Sequence, residues 1–314
     1  MKLVYLGTPD MAVAPLRALV DAGHEIVLVV TRVDKRRGRG SATTPSPVKA
    51  AALDLGLAVS HDVDDVLSAV RDDGAELGVV VAFGQIIKPH VLDVLPMVNL
   101  HFSLLPRWRG AAPVERAVLA GDDVTGVCVM ALEAGLDTGG VYARREVPIG
   151  AETTAADLRV ELVEVGTTLL VETLSHPLGE WVGDPEPQTG EVTYAAKFSS
   201  SDFEIDWAMP ASDVHRLIRV GGAWTTFRGK RLKINEAQLT DGRVVPVVTA
   251  RPGGMSAEAW AALSERAFGE VVFSNEGRQA LPEAISSGDL DGEDRPRLCA
   301  ERTHIPTRPP RQRG

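Results

Sequence analysis

The chain has 314 residues, 44% of them hydrophobic and 24% charged, with a formal net charge of −10; that is enough for about two domains, and the acidic balance argues against a general nucleic-acid coat. No run approaches the ~20 apolar residues that would span a bilayer, and two cysteines far apart, Cys128 and Cys299, exclude a disulfide framework and a multi-cysteine metal site. Met1 to Gly7 reads as a strand entering a turn rather than as a leader, so a cytoplasmic location is the expectation.

In chain order, Leu3–Leu6 is a short apolar run of the kind expected for a strand buried on both faces. Asp10 to Ala22 carries Met11, Leu16, Leu19 and Val20 near helical spacing and ends at Gly23. Glu25–Val30 is the next strand. A basic stretch follows: residues 31–49 hold Arg32, Lys35, Arg36, Arg37, Arg39 and Lys49 against Asp34 alone. On an acidic protein such a patch suits a local polyanion contact, or else a solvated loop. Pro47 opens a helix that Gly56 closes. Leu57–Ser60, Leu77–Ala82 and Val98–His101 are predicted strands, with a helix from Val63 to Arg71. Strand–helix–strand units with short connections predict a doubly wound, mostly parallel α/β sheet.

From Val124 the texture changes. Val124–Leu132 and Gly140–Pro148 read as two strands joined by a Gly-rich turn around Asp137, and Thr154–Leu174 reads as a long helix capped at Thr153-Thr154. Residues 181–200 follow as a Pro/Gly/Glu-rich linker. A helix at Ala211–Val220 and strands at Ala223–Thr226, Arg231–Gln238 and Arg243–Thr249 predict a small β-rich second domain. Residues 295–314 hold six Arg and four Pro against one Glu, the composition of a tail with little order. The expected organisation is 1–180 catalytic, 181–200 linker, 201–285 second domain and 286–314 disordered tail.

Three segments carry chemistry. In Asn99-Leu100-His101 strand alternation puts an amide and an imidazole on one face, near a strand's carboxyl end, where open α/β sheets bind ligands. Asp137 in Leu136-Asp137-Thr138-Gly139 offers a carboxylate that can orient a histidine and stabilise its protonated form. Gly7-Thr8-Pro9-Asp10 follows the first strand but is not G-x-G-x-x-G, and no G-x-x-x-x-G-K-[ST] occurs, so phosphate cradling of a nucleotide is not supported. None of the seven histidines has metal-site spacing, and no metal is expected.

Together these segments resemble the methionyl-tRNA formyltransferase family. The resemblance lies in Leu6-Gly7-Thr8-Pro9-Asp10-Met11-Ala12, in Val80 to Ile87, in the run Asn99-Leu100-His101-Phe102-Ser103-Leu104-Leu105-Pro106-Arg107-Trp108-Arg109-Gly110-Ala111-Ala112-Pro113, and in Leu136 to Gly139. It continues more loosely through Ala195-Ala196-Lys197, Ile205-Asp206-Trp207, Gly222 to Thr226 and Arg231 to Ile234.

The resemblance implies a Rossmann-like formyltransferase domain followed by a small OB-like barrel. The catalytic group would be Asn99, His101 and Asp137. The donor would be 10-formyltetrahydrofolate, bound near Phe83, Gly84, Gln85, Ile86 and Ile87 and near Ser103, Leu104, Leu105 and Pro106. The acceptor would be initiator methionyl-tRNA, touched by Arg32, Lys35, Arg36, Arg37 and Arg39, and the expected state is a monomer. Asn99, with His101 when protonated, would donate to the oxyanion, and Asp137 would support the histidine. One departure stands out. Leu239-Thr240-Asp241-Gly242 leads almost directly to Val244, and Arg251-Pro252-Gly253-Gly254-Met255 stands where the family carries Gln-Pro-x-Gly-Lys, so a shortened barrel is expected. Other readings of the same residues are formylation of a nucleotide-linked amino sugar and a non-catalytic RNA-binding relative.

Overall fold

The computed structural model describes residues 1–36, 43–175, 184–227, 230–240, 242–249, 272–273 and 279–280. The chain divides into two compact units, Met1–Phe198 and Ser199–Gly314.

The first unit opens with β1 (Lys2–Gly7), whose residues from Leu3 onward are all buried, as its apolar run requires. A 3₁₀ turn at Asp10–Ala12 leads into α1 (Val13–Asp21), then β2 (Glu25–Val30). The basic stretch makes a hairpin, β3 (Lys35–Arg36) against β4 (Thr43–Thr44). Helix α2 (Pro47–Asp54) starts at an N-cap Ser46, whose hydroxyl accepts from the Lys49 amide, with Pro47 in the first turn. There follow β5 (Val59–Ser60), α3 (Asp65–Ser68) with one π-turn at Ala69–Asp73, β6 (Leu77–Val81), α4 (Pro89–Leu92), β7 (Met97–His101), β8 (Arg109–Gly110), α5 (Pro113–Ala120), β9 (Val124–Ala131), β10 (Val141–Pro148) and α6 (Ala155–Thr173). The cap of α6 is a capping box between Thr154 and Asp157. The α5 helix was not among the predicted elements.

Seven strands form one sheet in the order β10-β9-β7-β6-β1-β2-β5. From β5 to β7 the neighbours run parallel, while β9 and β10 are antiparallel additions at one edge. The chain winds outward from β1 through β2 to β5 and then returns to the other side of β1 as β6. The switch point of this doubly wound sheet therefore lies between β1 and β6, where open α/β folds form their ligand crevice. Thr8, just past β1, donates its hydroxyl to the Phe83 carbonyl just past β6, at 3.2 Å. Val4, Leu6, Val30, Val80 and Phe83 pack in one core beneath this point.

The segment read as linker is corrected by the structure. Its described part up to 198 belongs to the first unit: Glu186 exchanges two backbone hydrogen bonds with Val141, and β11 (Tyr194–Ala195) pairs in parallel with β8. Long-range pairing of this sort leaves no periodic signature in a Pro/Gly-rich stretch.

In the second unit, α7 (Ala211–Val220) accompanies a five-stranded sheet of β12 (Trp224–Phe227), β13 (Lys230–Thr240), β14 (Arg243–Thr249), β15 (Val272–Phe273) and β16 (Gln279–Ala280), in that order and antiparallel throughout. Arg251 to Met255 and the tail at 286–314 lie outside the described residues. No helix among the described residues is long and apolar enough to cross a membrane.

Cys128, on β9, pairs directly with His101 of β7 and is fully buried. Burial pushes its thiol above the usual range. In a Cys299→Ser variant, Cys128 is expected to ignore an aromatic disulfide reagent at pH 8 until denaturant unfolds the protein; rapid labelling of the native protein would show the strand is not packed as described.

Candidate active site

Strand β7 places Asn99 and His101 two residues apart on one face. Met97, Val98, Leu100 and His101 are buried, and Asn99 is the one residue of the strand that is partly exposed. A polar side chain reaching the surface from the centre of a buried strand marks the floor of a crevice.

The His101 ring is held from both sides. Its Nε2 lies 3.0 Å from the Trp108 carbonyl. A carbonyl only accepts, so Nε2 carries the proton and Nδ1 of the neutral ring is left with its lone pair. Nδ1 faces Asp137 Oδ2 at 3.8 Å, with the two side chains only 6% and 12% exposed. That spacing is an ion pair once the ring is protonated, but it is too long for a direct hydrogen bond. In such a water-poor place the attraction between the two groups is screened far less than at the surface.

Asp137 reaches His101 by an indirect route. Because β9 runs antiparallel to β7, Ala131 at its end lies opposite Val98, near the start of β7. The connection from Leu132 to Gly140 must turn back over the sheet. Asp137 sits in it with φ 51, a left-handed conformation that Asp tolerates better than most residues. Its Oδ2 accepts from the Gly110 amide at 2.7 Å. The Gln188 amide nitrogen donates to the Asp137 and Gly139 carbonyls, both at 2.8 Å. Gly139 has no alternative: a Cβ there would lie 2.0 Å from the Ala131 carbonyl.

The Trp108 carbonyl is fixed with equal care. Trp108 has φ 62. Its amide donates to Thr193 Oγ1 at 2.9 Å and its indole to Asp122 Oδ2 at 2.7 Å. The Arg107 guanidinium grips the same Asp122 and lies 4.5 Å over the indole ring. Ala82, after β6, is the remaining non-glycine residue at positive φ among the described residues. All three strained residues thus lie in the connections that follow β6, β7 and β9, and each such conformation costs on the order of 1–3 kcal/mol that the surroundings must offset.

The other predicted positions fall into distinct settings. Gly84, Gln85 and Ile86 form an exposed loop, Ile86 being 88% exposed, while Ile87 is half-buried and Phe83 is a core residue. Ser103 is fully buried and spends its hydroxyl on the Arg107 carbonyl at 2.6 Å, shaping the turn. Leu105 packs against Cys128, Met130 and Val141; Pro106 is buried and Leu104 half-buried. Arg32 donates to the Gly84 carbonyl, tying the root of the basic hairpin to the exposed loop. Lys49 holds Asp34 at 2.7 Å at the same root. Lys35 and Arg36 are in the hairpin strand; Arg37 and Arg39 lie outside the described residues. Trp108, Asp122, Gln188 and Thr193 were missed as supports of the site, and the only sequence cue to them is the Arg107-Trp108-Arg109 run itself.

Comparison with known proteins identifies this architecture. Residues 1–174 match the formyl transferase domain and residues 197–255 the formyl transferase C-terminal domain. A methionyl-tRNA formyltransferase of Roseobacter denitrificans is 46% identical over 256 residues, covering 78% of this chain and 83% of that protein. Among solved structures, a methionyl-tRNA formyltransferase from Clostridium thermocellum shares the fold, with a TM-score of 0.55 at 16% identity, over 81% of this chain and 100% of that one. HypX from Aquifex aeolicus in complex with tetrahydrofolic acid shares it as well, with a TM-score of 0.59 at 18% identity, over 92% of this chain and 47% of that one. The fold and domain pair are those of a folate-dependent formyltransferase. Within that class the chain belongs to the methionyl-tRNA formyltransferase family.

The Asp137 carboxylate carries both a charge facing His101 and an acceptor for Gly110. An Asp137→Asn variant keeps an oxygen for Gly110 and loses the charge. It should lower kcat by at least about 10²-fold with little change in melting temperature; a turnover within twofold of the parent would remove Asp137 from the site.

Proposed function

We propose that this protein transfers the formyl group of 10-formyltetrahydrofolate to the amino group of initiator methionyl-tRNA, and that Asn99, His101 and Asp137 carry the chemistry. The observation that bears most weight is the buried imidazole whose Nε2 is committed to the Trp108 carbonyl and whose Nδ1 is turned to a carboxylate. Family membership supports formyl transfer, and the exposed loop Gly84–Ile86 beside the switch point is the natural rest for the donor's pterin.

The acceptor amine attacks the formyl carbon while neutral. A C–N bond forms, the carbonyl oxygen becomes an oxyanion, and the carbon's bond to N10 of the folate then breaks. Asn99, partly exposed beside the buried His101, donates its amide to that oxyanion. The amine must shed a proton and N10 must gain one, so the step is balanced by a single proton passing between them. His101 Nδ1 is the site that takes it up, and Asp137 stabilises the resulting imidazolium before the proton passes to N10. At 3.8 Å from Asp137 Oδ2 the Nδ1 lone pair is not spent in a direct hydrogen bond.

The basic hairpin is the proposed contact for the acceptor arm of the tRNA. Arg32 and Lys49 are engaged at its root, and the stretch also carries Lys35, Arg36, Arg37 and Arg39. Replacing Arg36, Arg37 and Arg39 by Ser should weaken tRNA binding and flatten its dependence on salt by up to about three units of log–log slope, one for each phosphate that is no longer neutralised. Folate binding should be untouched. An unchanged slope would free the hairpin of this role.

The reaction itself is tested by offering formylated folate with initiator methionyl-tRNA, elongator methionyl-tRNA or a nucleotide-linked amino sugar. Formylation of the initiator species alone is expected, falling about 10²–10³-fold in Asn99→Ala. Transfer to the sugar amine instead, or retention of the tRNA without transfer, would reject the proposal.

A further inference from the structure

The segment from 185 to 195 lies within the first unit. It runs as a strap across both connections that carry the candidate site. Glu186 is bridged to Val141, at the start of β10. The Thr193 carbonyl accepts from the Arg109 amide at 2.9 Å, and the Ala195 carbonyl accepts from Ala111 and Ala112. Gly110, whose amide binds Asp137, has φ 118 and lies so close to the strap that a Cβ would meet the Ala195 carbonyl at 2.9 Å.

At the centre of the strap stands Gln188, half-buried, with both ends of its amide spent. The nitrogen donates to the Asp137 and Gly139 carbonyls, and the oxygen accepts from Nε and Nη2 of Arg109 at 3.0 and 2.6 Å. Four hydrogen bonds on one side chain join the loop that bears the carboxylate to the strand residue preceding Gly110. Only an amide of this length can do both, because the two carbonyls demand a donor and the guanidinium demands an acceptor. The flanking Pro185 and Pro187 lower the entropy lost in holding it there.

We propose that Gln188 is a positioning residue for formyl transfer: by clamping Asp137–Gly139 to Arg109 it holds the Asp137 carboxylate, left-handed and bonded to Gly110, opposite His101 Nδ1. This rests on the function proposed above. Gln188 bonds the Asp137 and Gly139 carbonyls and Arg109 rather than Asn99, His101 or the Asp137 carboxylate, so its removal should misplace the carboxylate without emptying either binding site. Misplacement by about 1 Å is enough to cost ~10²-fold in rate.

The test compares the parent with Gln188→Ala and Gln188→Glu in the full chain. The glutamate variant has the same shape and still accepts from Arg109, but it cannot donate to the two carbonyls. Both variants should lose about 10–10²-fold in kcat with KM for methionyl-tRNA and for formylated folate within twofold. Amide hydrogen exchange, which needs no turnover, should quicken at Gly110 and at 137–140 while β6 and β7 keep their protection. The proposal is overturned by unchanged kcat in the glutamate variant, by exchange that stays slow at Gly110, or by quickening spread evenly over the sheet, which would make Gln188 a general stabiliser. A parent protein that formylates no methionyl-tRNA would sink the proposed function and leave the exchange result to decide the clamp by itself.

Discussion

A carboxylate and an imidazole must be kept close, buried and unbonded to each other, and the first unit is arranged around that requirement. Two such groups left to themselves would either collapse into a direct hydrogen bond or turn outward to water. Here each is restrained by a separate partner. His101 is tethered by Nε2 to a carbonyl, and Asp137 by Oδ2 to a backbone amide. What remains between Nδ1 and the carboxylate is a gap of 3.8 Å in a poorly solvated place. A pre-set field of this sort has no need to reorganise when charge develops, and that accounts for most of what such sites contribute to rate.

The restraint has a cost, and the cost is visible in the backbone. Ala82, Trp108 and Asp137 all adopt left-handed conformations that side chains disfavour. The structure offsets them with dense local bonding: Asp122 and Thr193 around Trp108, Gly110 and Gln188 around Asp137. Strain therefore concentrates in three connections that follow neighbouring strands, while β6, β7 and β9 beneath them pair without a register shift and are largely buried. The strap at 185–195 takes part in this balance, since Gln188 and Thr193 both belong to it. The strap's side chains bond both the loop that bears Asp137 and the turn that bears Trp108.

Much of the fold is legible in the sequence because it depends on short-range pattern. The apolar runs at Leu3–Leu6 and Leu77–Ala82 become the central strands β1 and β6, and the cap at Thr154 starts α6 where the hydrophobic spacing places it. The Asn99/His101 pair is legible too, because a strand's two-residue period puts them on one face. Asp137 is different: its Gly-rich turn marks it as a candidate, but its meeting with His101 spans the antiparallel turnback of β9, which no local rule encodes, and it was the family resemblance that joined the two. The strap is invisible for a similar reason. Its partners are residues some 50 to 85 positions away, and its composition is that of a linker. Helix α5 escaped because it opens at Pro113, the last residue of a motif read for chemistry, and the short stretch that follows was not read for spacing.

The proposed mechanism requires the Trp108 carbonyl to set which ring nitrogen of His101 is protonated and so to leave Nδ1 for proton uptake. Nitrogen-15 resonances of the histidine side chains, recorded on the free protein with His101→Gln as the assignment control, report this directly. Neutral His101 is expected to carry its proton on Nε2, with a pyridine-type Nδ1. A neutral His101 with the proton on Nδ1 would contradict the mechanism.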